Sequence, residues 1–339
     1  MRAMDPLSSI IIDTYLIIDI YLYLSHNSQI IRLRIIFLRV LQDRARATTE
    51  RRYNNEDPLR LKLAINIRNW GDRATRDFLR TCAEAADRST LDAIWFNDHI
   101  GLPPKIANNE YGIPDDMGTI LDPLAFAAYL AAVTDRIVFG SAVLILPYRP
   151  AILTNKWIAT IQELSGNRFI LGVGSGYLEE EFRALDVSRN QRGRITDETL
   201  AFLRGSASGP LIECNGQPIV LKPVLHLPPV YVGGKPEIAI PRAIRFGNGW
   251  MPVGMLPEAL APHVAAYRQQ AADQGLPPPE IIAMKTLPLD DFDQAIELAQ
   301  HYASIGVTQL VHTQGYDSTA QYGEVIYAID NALRSQLRT

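Results

Sequence analysis

The chain contains little cysteine, no paired metal ligands and no long uninterrupted apolar run. Only two of its 339 residues are cysteine, Cys82 and Cys214, and they lie far apart in sequence. The six histidines show no HExxH-type spacing. Because two distant thiols fit neither a zinc site nor a disulfide framework, we expect reduced thiols in a cytoplasmic protein and no bound metal.

A large excess of charge of one sign is also absent. The chain carries 33 Lys and Arg residues against 37 Asp and Glu residues, a formal net charge of −4. Binding to nucleic acid or to an anionic membrane usually needs a concentrated basic patch. The dispersed charges therefore favour a small-molecule substrate over a nucleic-acid or membrane partner.

The first 58 residues differ in composition from the rest. Residues 8–24 are apolar, but two aspartates interrupt a span that is already short for a membrane helix. Each acid costs about 2.5–3.5 kcal/mol at mid-bilayer, and no signal-peptide cleavage site follows. A charged linker, QDRARATTERRYNNEDP, then ends at Pro58. We expect residues 1–58 to be an extension outside the fold, with an accessory helix pair as the alternative, and residues 59–339 to form the folded unit.

From Leu59 onward, short β-branched or aromatic runs alternate with segments of helical apolar spacing. Eight runs are present: LKLAINI, DAIWF, RIVFGSAVLI, RFILGVG, PVYVGG, GWMPV, EIIAMKTLPL and TQLVHT. Eight βα units predict a (β/α)8 TIM barrel, for which roughly 250 residues is typical. A doubly wound open sheet is the alternative. The stretch between the fourth helix and the fifth strand is interpreted as an inserted excursion, with a tight turn at Asn215-Gly216.

Polar or glycine-rich segments lie at the ends of three predicted strands. Asn97, Asp98 and His99 follow the second strand, GVGSGYLEEEF ends the fourth, and Gly233-Gly234 ends the fifth. A barrel of this kind builds its active site at the carboxyl ends of its strands. Taken alone, Asp98 and His99 are more simply explained as loop residues, and a glycine-rich turn as a tight turn. Two glycine-rich strand ends that precede helices favour a phosphate-bearing cofactor.

These segments carry a family resemblance. The sequence resembles the luciferase-like superfamily of flavin- and deazaflavin-dependent oxidoreductases, and especially the branch that uses coenzyme F420. The blocks that carry the resemblance are DAIWFNDHIGLP, the long segment from TDRIVFGSAVLILPYRP to LGVGSGYLEEEFRALDV, RGRITDE and PPVYVGGKPEIAIPRAIRFGNGW. The resemblance covers nearly all of residues 59–339 and none of residues 1–58.

The resemblance implies roles for individual residues. Asp98 and His99 match an acidic residue and a histidine that lie beside the reactive ring in deazaflavin-dependent sugar-phosphate dehydrogenases, where the histidine is implicated in catalysis. Ala142 and Val143 match a third-strand bulge, often with a non-prolyl cis peptide, that backs one face of the ring. Further cofactor contacts, mostly to the ribityl and phosphate region, are implied for Ser175, Gly176, Glu180, Gly233 and Gly234.

Tyr177 departs from the pattern of those dehydrogenases, which carry a glutamate thought to donate a proton at this position. Their sugar-phosphate activity is therefore not carried over to this chain. Tyr177 itself is a candidate proton donor, and an aromatic wall of the pocket is an equally good interpretation.

The implied activity is hydride transfer between coenzyme F420 and a small organic substrate. His99 would exchange a proton with the substrate, and Asp98 would orient the ring or the histidine. The alternative is an FMN-dependent monooxygenase of the same superfamily, since both cofactors bind the same cleft. A second alternative is a non-catalytic flavin-binding barrel. A homodimer is compatible with each, and the loops at 101–119 and 205–228 carry no motif that identifies the substrate.

Overall fold

A computed structural model of the chain describes residues 60–106 and 117–337. The predicted extension at residues 1–58 lies outside this part of the chain, as does much of the loop predicted at 101–119.

Ten strands are present in the described residues, and eight of them form a closed parallel barrel. Their bounds are β1 Lys62–Asn66, β2 Ala93–Phe96, β3 Val138–Ile145, β4 Phe169–Gly174, β5 Leu211–Cys214, β6 Gln217–Val220, β7 Val230–Gly233, β8 Gly249–Met251, β9 Glu280–Lys285 and β10 Gln309–His312. Around the barrel the order is β1-β10-β9-β8-β7-β4-β3-β2, while β5 and β6 pair separately as an antiparallel hairpin.

Helices follow every barrel strand. Their bounds are α1 Arg76–Arg88, α2 Pro123–Val133, α3 Ala151–Ser165, α4 Glu179–Ala184, α5 Arg192–Ser206, α6 Pro236–Phe246, α7 Pro257–Asp273, α8 Phe292–Ser304, α9 Thr319–Tyr327 and α10 Arg334–Gln336. Local chemistry explains several of the bounds. The Asp122 carboxylate accepts hydrogen bonds from the Leu124 and Ala125 amides and caps α2, and Gly166 ends α3 in the left-handed conformation.

The strands bury side chains on both faces, which explains why their sequences are continuous apolar runs. In β2, Ile94 and Phe96 pack between the barrel and the helices, whereas Ala93 and Trp95 point into the barrel. The Trp95 indole Nε1 donates a 2.9 Å hydrogen bond to Gln309 Oε1, so its buried polar group is satisfied.

The predicted (β/α)8 barrel is therefore confirmed, and all eight predicted strands are present. The predicted excursion is the β5–β6 hairpin, which lies between α5 and β7. Its turn residues Asn215 and Gly216 have φ angles of 53° and 74°, as a two-residue hairpin turn requires. Within the described residues, no helix is both long enough and apolar enough to cross a membrane.

Candidate active site

Asn97 connects three neighbouring strand ends at the carboxyl rim of the barrel. Its backbone amide donates to Asn69 Oδ1 at 2.9 Å, and its side-chain Nδ2 donates to the Ala142 carbonyl at 2.9 Å. Trp70 Nε1 donates to Asn97 Oδ1 at 3.3 Å. These contacts fix the segment from which Asp98 and His99 project.

Asp98 is held in a buried ion pair. Arg149 Nη1 and Nη2 lie 2.7 and 2.9 Å from the two carboxylate oxygens of Asp98, and the Ile145 amide donates to Asp98 Oδ2 at 2.8 Å. The side chain of Asp98 is 0% exposed. Burial raises the pKa of the Asp98 carboxyl, against the hydrogen bonds from Arg149. Arg149 is anchored in turn by Asp122 at 2.7 Å.

This geometry differs from the role expected of Asp98. A carboxylate with no exposed surface and both oxygens occupied has no surface left to touch a bound ring. The contact joins the end of β2 to the end of β3 through Ile145 and Arg149. The arrangement favours a structural role for Asp98, and the contact that orients His99 is made by a different acid.

That acid is Glu181, on α4. His99 Nδ1 lies 3.3 and 3.2 Å from the two carboxylate oxygens of Glu181. Tyr148 donates its hydroxyl proton to Glu181 Oε2 at 2.7 Å, and the Ile100 amide donates to Oε1 at 2.7 Å. Burial opposes ionisation of Glu181, but the hydrogen bonds from His99, Tyr148 and Ile100 outweigh it, so its pKa lies below the usual range.

Tyr177 lies beside this pair. Its ring centroid is 6.1 Å from that of His99, with the two planes nearly perpendicular, and the Tyr177 carbonyl accepts a 3.1 Å hydrogen bond from Arg189 Nε. The structure thus brings together two of the three predicted catalytic residues, His99 and Tyr177. Glu180, predicted as a cofactor contact, is partly exposed next to the buried Glu181.

The third-strand bulge is present. The Ala142–Val143 peptide is cis, and the pairing of β3 with β4 shifts register between Ser141 and Leu144. Two glycines make room for Val143. A Cβ atom at Gly174 or Gly233 would lie only 2.5 or 2.7 Å from a Val143 methyl group. The bulged residue therefore occupies space that side chains on β4 and β7 would fill.

Ser175 and Arg242 form a polar site at the end of β4. Arg242 Nη1 donates to Ser175 Oγ at 3.3 Å, and the hydroxyl oxygens of Ser175 and Thr196 lie 3.1 Å apart. Asp197 Oδ1 holds Arg242 Nε at 2.6 Å, and the Arg242 side chain is 11% exposed. Because Arg242 lies on α6, which follows Gly233 and Gly234, this contact joins the two glycine-rich strand ends.

The donors at this site fit the phosphate of a tricyclic cofactor. Hydroxyl and guanidinium groups are strong phosphate donors. The bulge at Val143 offers a surface for one face of a ring. Gly176, for which the resemblance implies a cofactor contact, stands at a position where a side chain would not fit. It has a φ of 74°, and a Cβ atom there would lie 2.8 Å from Ile145 and 3.0 Å from Phe182. Gly176 therefore serves the packing beneath the site.

Three residues of this site were not predicted from the sequence: Arg149, Glu181 and Arg242. Arg149 and Arg242 lie on elements remote in sequence from their partners, so no local motif reveals them. Glu181 left a weak signal. Glu181 is buried next to Phe182 and follows the buried Leu178 by three residues, whereas Glu179 is exposed.

Comparison with known proteins identifies the family. The family model described as luciferase-like monooxygenase matches residues 60–336. The chain therefore belongs to the luciferase-like monooxygenase family, as the resemblance in the sequence indicated.

Curated relatives share part of this region. An uncharacterised protein of Mycobacterium tuberculosis is 28% identical over 245 residues, which cover 68% of this chain and 82% of that protein. An FMNH(2)-dependent dimethylsulfone monooxygenase of Pseudomonas putida is 27% identical over 214 residues, 59% of this chain and 54% of the relative.

Solved structures share the fold at lower identity. The monooxygenase RslO1 from Streptomyces bottropensis superposes with a TM-score of 0.67 and 17% identity, covering 80% of this chain and 98% of that one. An F420-dependent secondary alcohol dehydrogenase in complex with an F420-acetone adduct superposes with a TM-score of 0.63 and 14% identity, covering 80% and 99%. The dimethylsulfone monooxygenase is described as FMNH(2)-dependent and the alcohol dehydrogenase as F420-dependent. Membership of the family supports an oxidoreductase.

Proposed function

We propose that the chain is an F420-dependent oxidoreductase that transfers a hydride to or from a small organic substrate. The observation that carries this proposal is the pair formed by His99 and Glu181 at the carboxyl rim of the barrel. It provides a proton-exchanging group at the rim that also carries the Val143 bulge and the Ser175–Arg242 site. The blocks that resemble the F420 branch favour the deazaflavin over FMN.

The cofactor would be held by residues on three strand ends. Ser175 and Arg242 would bind its phosphate, and Ala142 and Val143 would back one face of its ring. Bound deazaflavin supplies or accepts the hydride, and the protein supplies binding, orientation and exclusion of water. Tyr177, packed against His99, would form an aromatic wall of the substrate pocket.

His99 would move a proton through its Nε2 atom. Glu181 is ionised because its pKa is lowered, so it accepts hydrogen bonds and cannot donate one. Nδ1 of His99 must then carry the proton that Glu181 accepts. This fixes the ring tautomer and leaves Nε2 as the basic atom. In one direction Nε2 takes a proton from a substrate hydroxyl, and in the other it returns a proton to a carbonyl oxygen.

The second candidate is an FMN-dependent monooxygenase. The similarity to the dimethylsulfone monooxygenase supports it, because that relative is described as FMNH(2)-dependent. The same Ser175 and Arg242 donors would bind the FMN phosphate. A non-catalytic flavin-binding barrel is disfavoured by the His99–Glu181 pair, since a barrel that only carries a flavin has no need for a proton-exchanging group.

The test is a single-turnover experiment on the wild type and His99→Ala. Reduced F420 is mixed anaerobically with a panel of small ketones and aldehydes, and its oxidation is followed. His99→Ala should bind F420 as tightly as the wild type, while the rate falls about 10²–10⁴-fold.

Replacement of the exposed His226 by alanine should leave the rate unchanged. Rates for His99→Ala within about twofold of wild type would contradict the proton role. Oxygenated product formed only with FMNH2 would favour the second candidate.

A further inference from the structure

A cavity lies next to the candidate active site: Trp70 lines it and also donates a hydrogen bond to Asn97. It has a volume of about 310 Å³ and is enclosed by the segment after β1, helix α1 and the chain from Gly315 to α9. His99, Val143 and Ser175 are not among its lining residues. Its volume is at the lower end of the range of small-molecule sites in proteins.

Arg68 lines this cavity with an uncompensated charge. Its guanidinium carbon lies 4.5 Å from the centroid of the Trp70 ring, a cation–π contact. Within residues 60–106 and 117–337, its guanidinium forms no ion pair and no hydrogen bond. Burial lowers the pKa of Arg68, which shows that water only partly solvates the charge. A partly desolvated cation of this kind normally has an anion beside it.

Tyr322 is another lining residue of this cavity, and its hydroxyl is buried. The side chain is 0% exposed and packs edge-on against Tyr316, with ring centroids 4.7 Å apart. Its hydroxyl has no hydrogen-bond partner in the described part of the chain. A buried hydroxyl without a partner costs free energy, which a polar ligand atom would recover.

The other lining groups define the chemistry of the ligand. Phe78, Trp70 and Tyr316 add aromatic surface, which suits a flat apolar body. Asp72 and Asp317 also line the cavity, but both are solvent-exposed and neither pairs with Arg68, so their charges are screened by water. The cavity therefore combines the partly buried guanidinium of Arg68, the exposed guanidinium of Arg73, one buried hydroxyl without a hydrogen-bond partner and aromatic walls.

We propose that this cavity binds a small aromatic carboxylate, with Arg68 as the counter-ion of the carboxylate. The planar guanidinium fork matches a carboxylate in geometry, and the aromatic walls accept the ring. Tyr322 supplies a hydrogen bond to a polar atom of the ligand. His99 does not line the cavity, so the proposal does not depend on whether the reaction uses F420 or FMN.

Benzoate is the probe, and its affinity for the full chain is measured by isothermal titration calorimetry. Benzamide serves as the neutral isostere. Benzoate should bind, and benzamide should bind about tenfold more weakly or not at all. Inorganic phosphate, an anion without an apolar body, should not displace benzoate at equal concentration. No binding of benzoate, equal binding of benzamide, or displacement by phosphate would each overturn the proposal.

Variants locate the site. Arg68→Gln should weaken benzoate binding about tenfold or more, and Tyr322→Phe about threefold or more. Arg73→Gln is the matched control, because Arg73 lines the cavity but is exposed, and it should have no effect. Gly315→Ala is an independent variant, since its Cβ atom would lie 2.5 Å from Arg68 Nη1 and displace the guanidinium. Unchanged affinity in Gly315→Ala and Arg68→Gln, or an equal loss in Arg73→Gln, would overturn the assignment of Arg68.

Discussion

Replacing Glu181 with glutamine separates the charge of this residue from its shape. In the wild type, its carboxylate accepts hydrogen bonds from His99 Nδ1 at 3.2 Å, the Tyr148 hydroxyl at 2.7 Å and the Ile100 amide at 2.7 Å. Glutamine keeps the volume but has one acceptor oxygen, so its NH2 group must face one of these donors. Since hydrogen bonds to charged groups contribute about 1.5–3 kcal/mol, we expect a destabilisation of about that size at pH 7.

The sign of the pH dependence follows from the lowered pKa of Glu181. A carboxyl with a lower pKa in the folded state contributes stability above its unfolded pKa, and loses it as the pH falls through the folded value. The difference in unfolding free energy between wild type and Glu181→Gln should therefore have its full size at pH 7. It should become smaller as the pH falls below the usual pKa range of carboxyl groups. Urea unfolding at several pH values measures this difference.

The catalytic effect should exceed what lost stability alone explains. Without the carboxylate, the tautomer and orientation of His99 are no longer fixed, so we expect kcat to fall about 10–100-fold, part of the full contribution of a proton-transfer group. Cofactor affinity should stay within about twofold, because Ser175 and Arg242 are untouched. The control is Glu179→Gln, on the same helix but exposed. Wild-type turnover in a folded Glu181→Gln protein would refute the positioning role.

Three further predictions concern stability, each measured by urea unfolding. Arg149→Met leaves the Asp98 carboxylate buried without its partner, so we expect a loss of about 3–5 kcal/mol at pH 7. Gly176→Ala forces a Cβ atom onto a residue with a φ of 74° and to 2.8 Å from Ile145, which should cost about 1–3 kcal/mol. Burial lowers the pKa of His312 to about 4, so the unfolded chain binds a proton that the folded chain excludes. The wild type should therefore lose up to about 3 kcal/mol between pH 6.5 and pH 4, and His312→Gln should lose less.

Each of these variants has a matched control in the chain. Arg194 sits in an exposed ion pair, so Arg194→Met should change stability by less than about 0.5 kcal/mol. A Cβ atom at Gly209 would meet nothing within 4 Å, so Gly209→Ala should be tolerated. His226→Gln removes an exposed histidine and should leave the pH dependence unchanged. Equal effects in a variant and its control would contradict the structural reason given for that variant.

The fold could be predicted because its determinants are local. Each βα unit has the apolar spacing of a strand followed by that of a helix, and capping residues such as Asp122 mark where a helix begins. Eight such units in succession are compatible with few folds other than a (β/α)8 barrel. The hairpin turn could also be predicted from the sequence, because Asn215 and Gly216 are residues that tolerate positive φ.

The site was only partly predictable because side-chain pairing is not local. The position of His99 at a strand end follows from the strand itself, but its partner Glu181 comes from another βα unit. Asp98 also has a partner that its local sequence does not reveal. In the sequence it is an acid beside a histidine, and only the structure shows that Arg149, 51 residues away, donates hydrogen bonds to both of its carboxylate oxygens. The ion pair between Asp98 and the distant Arg149 is therefore not predictable from the residues around Asp98.

The most direct measurement of the central claim is the affinity of the purified chain for F420 and for FMN. Both cofactors are titrated by equilibrium dialysis into the wild type and into Arg242→Gln. If the proposed function is correct, F420 should bind about tenfold or more tightly than FMN. Arg242→Gln should weaken F420 binding about tenfold, because the phosphate of the cofactor loses a charged donor. Tighter binding of FMN, or F420 affinity that does not change in a folded Arg242→Gln protein, would contradict it.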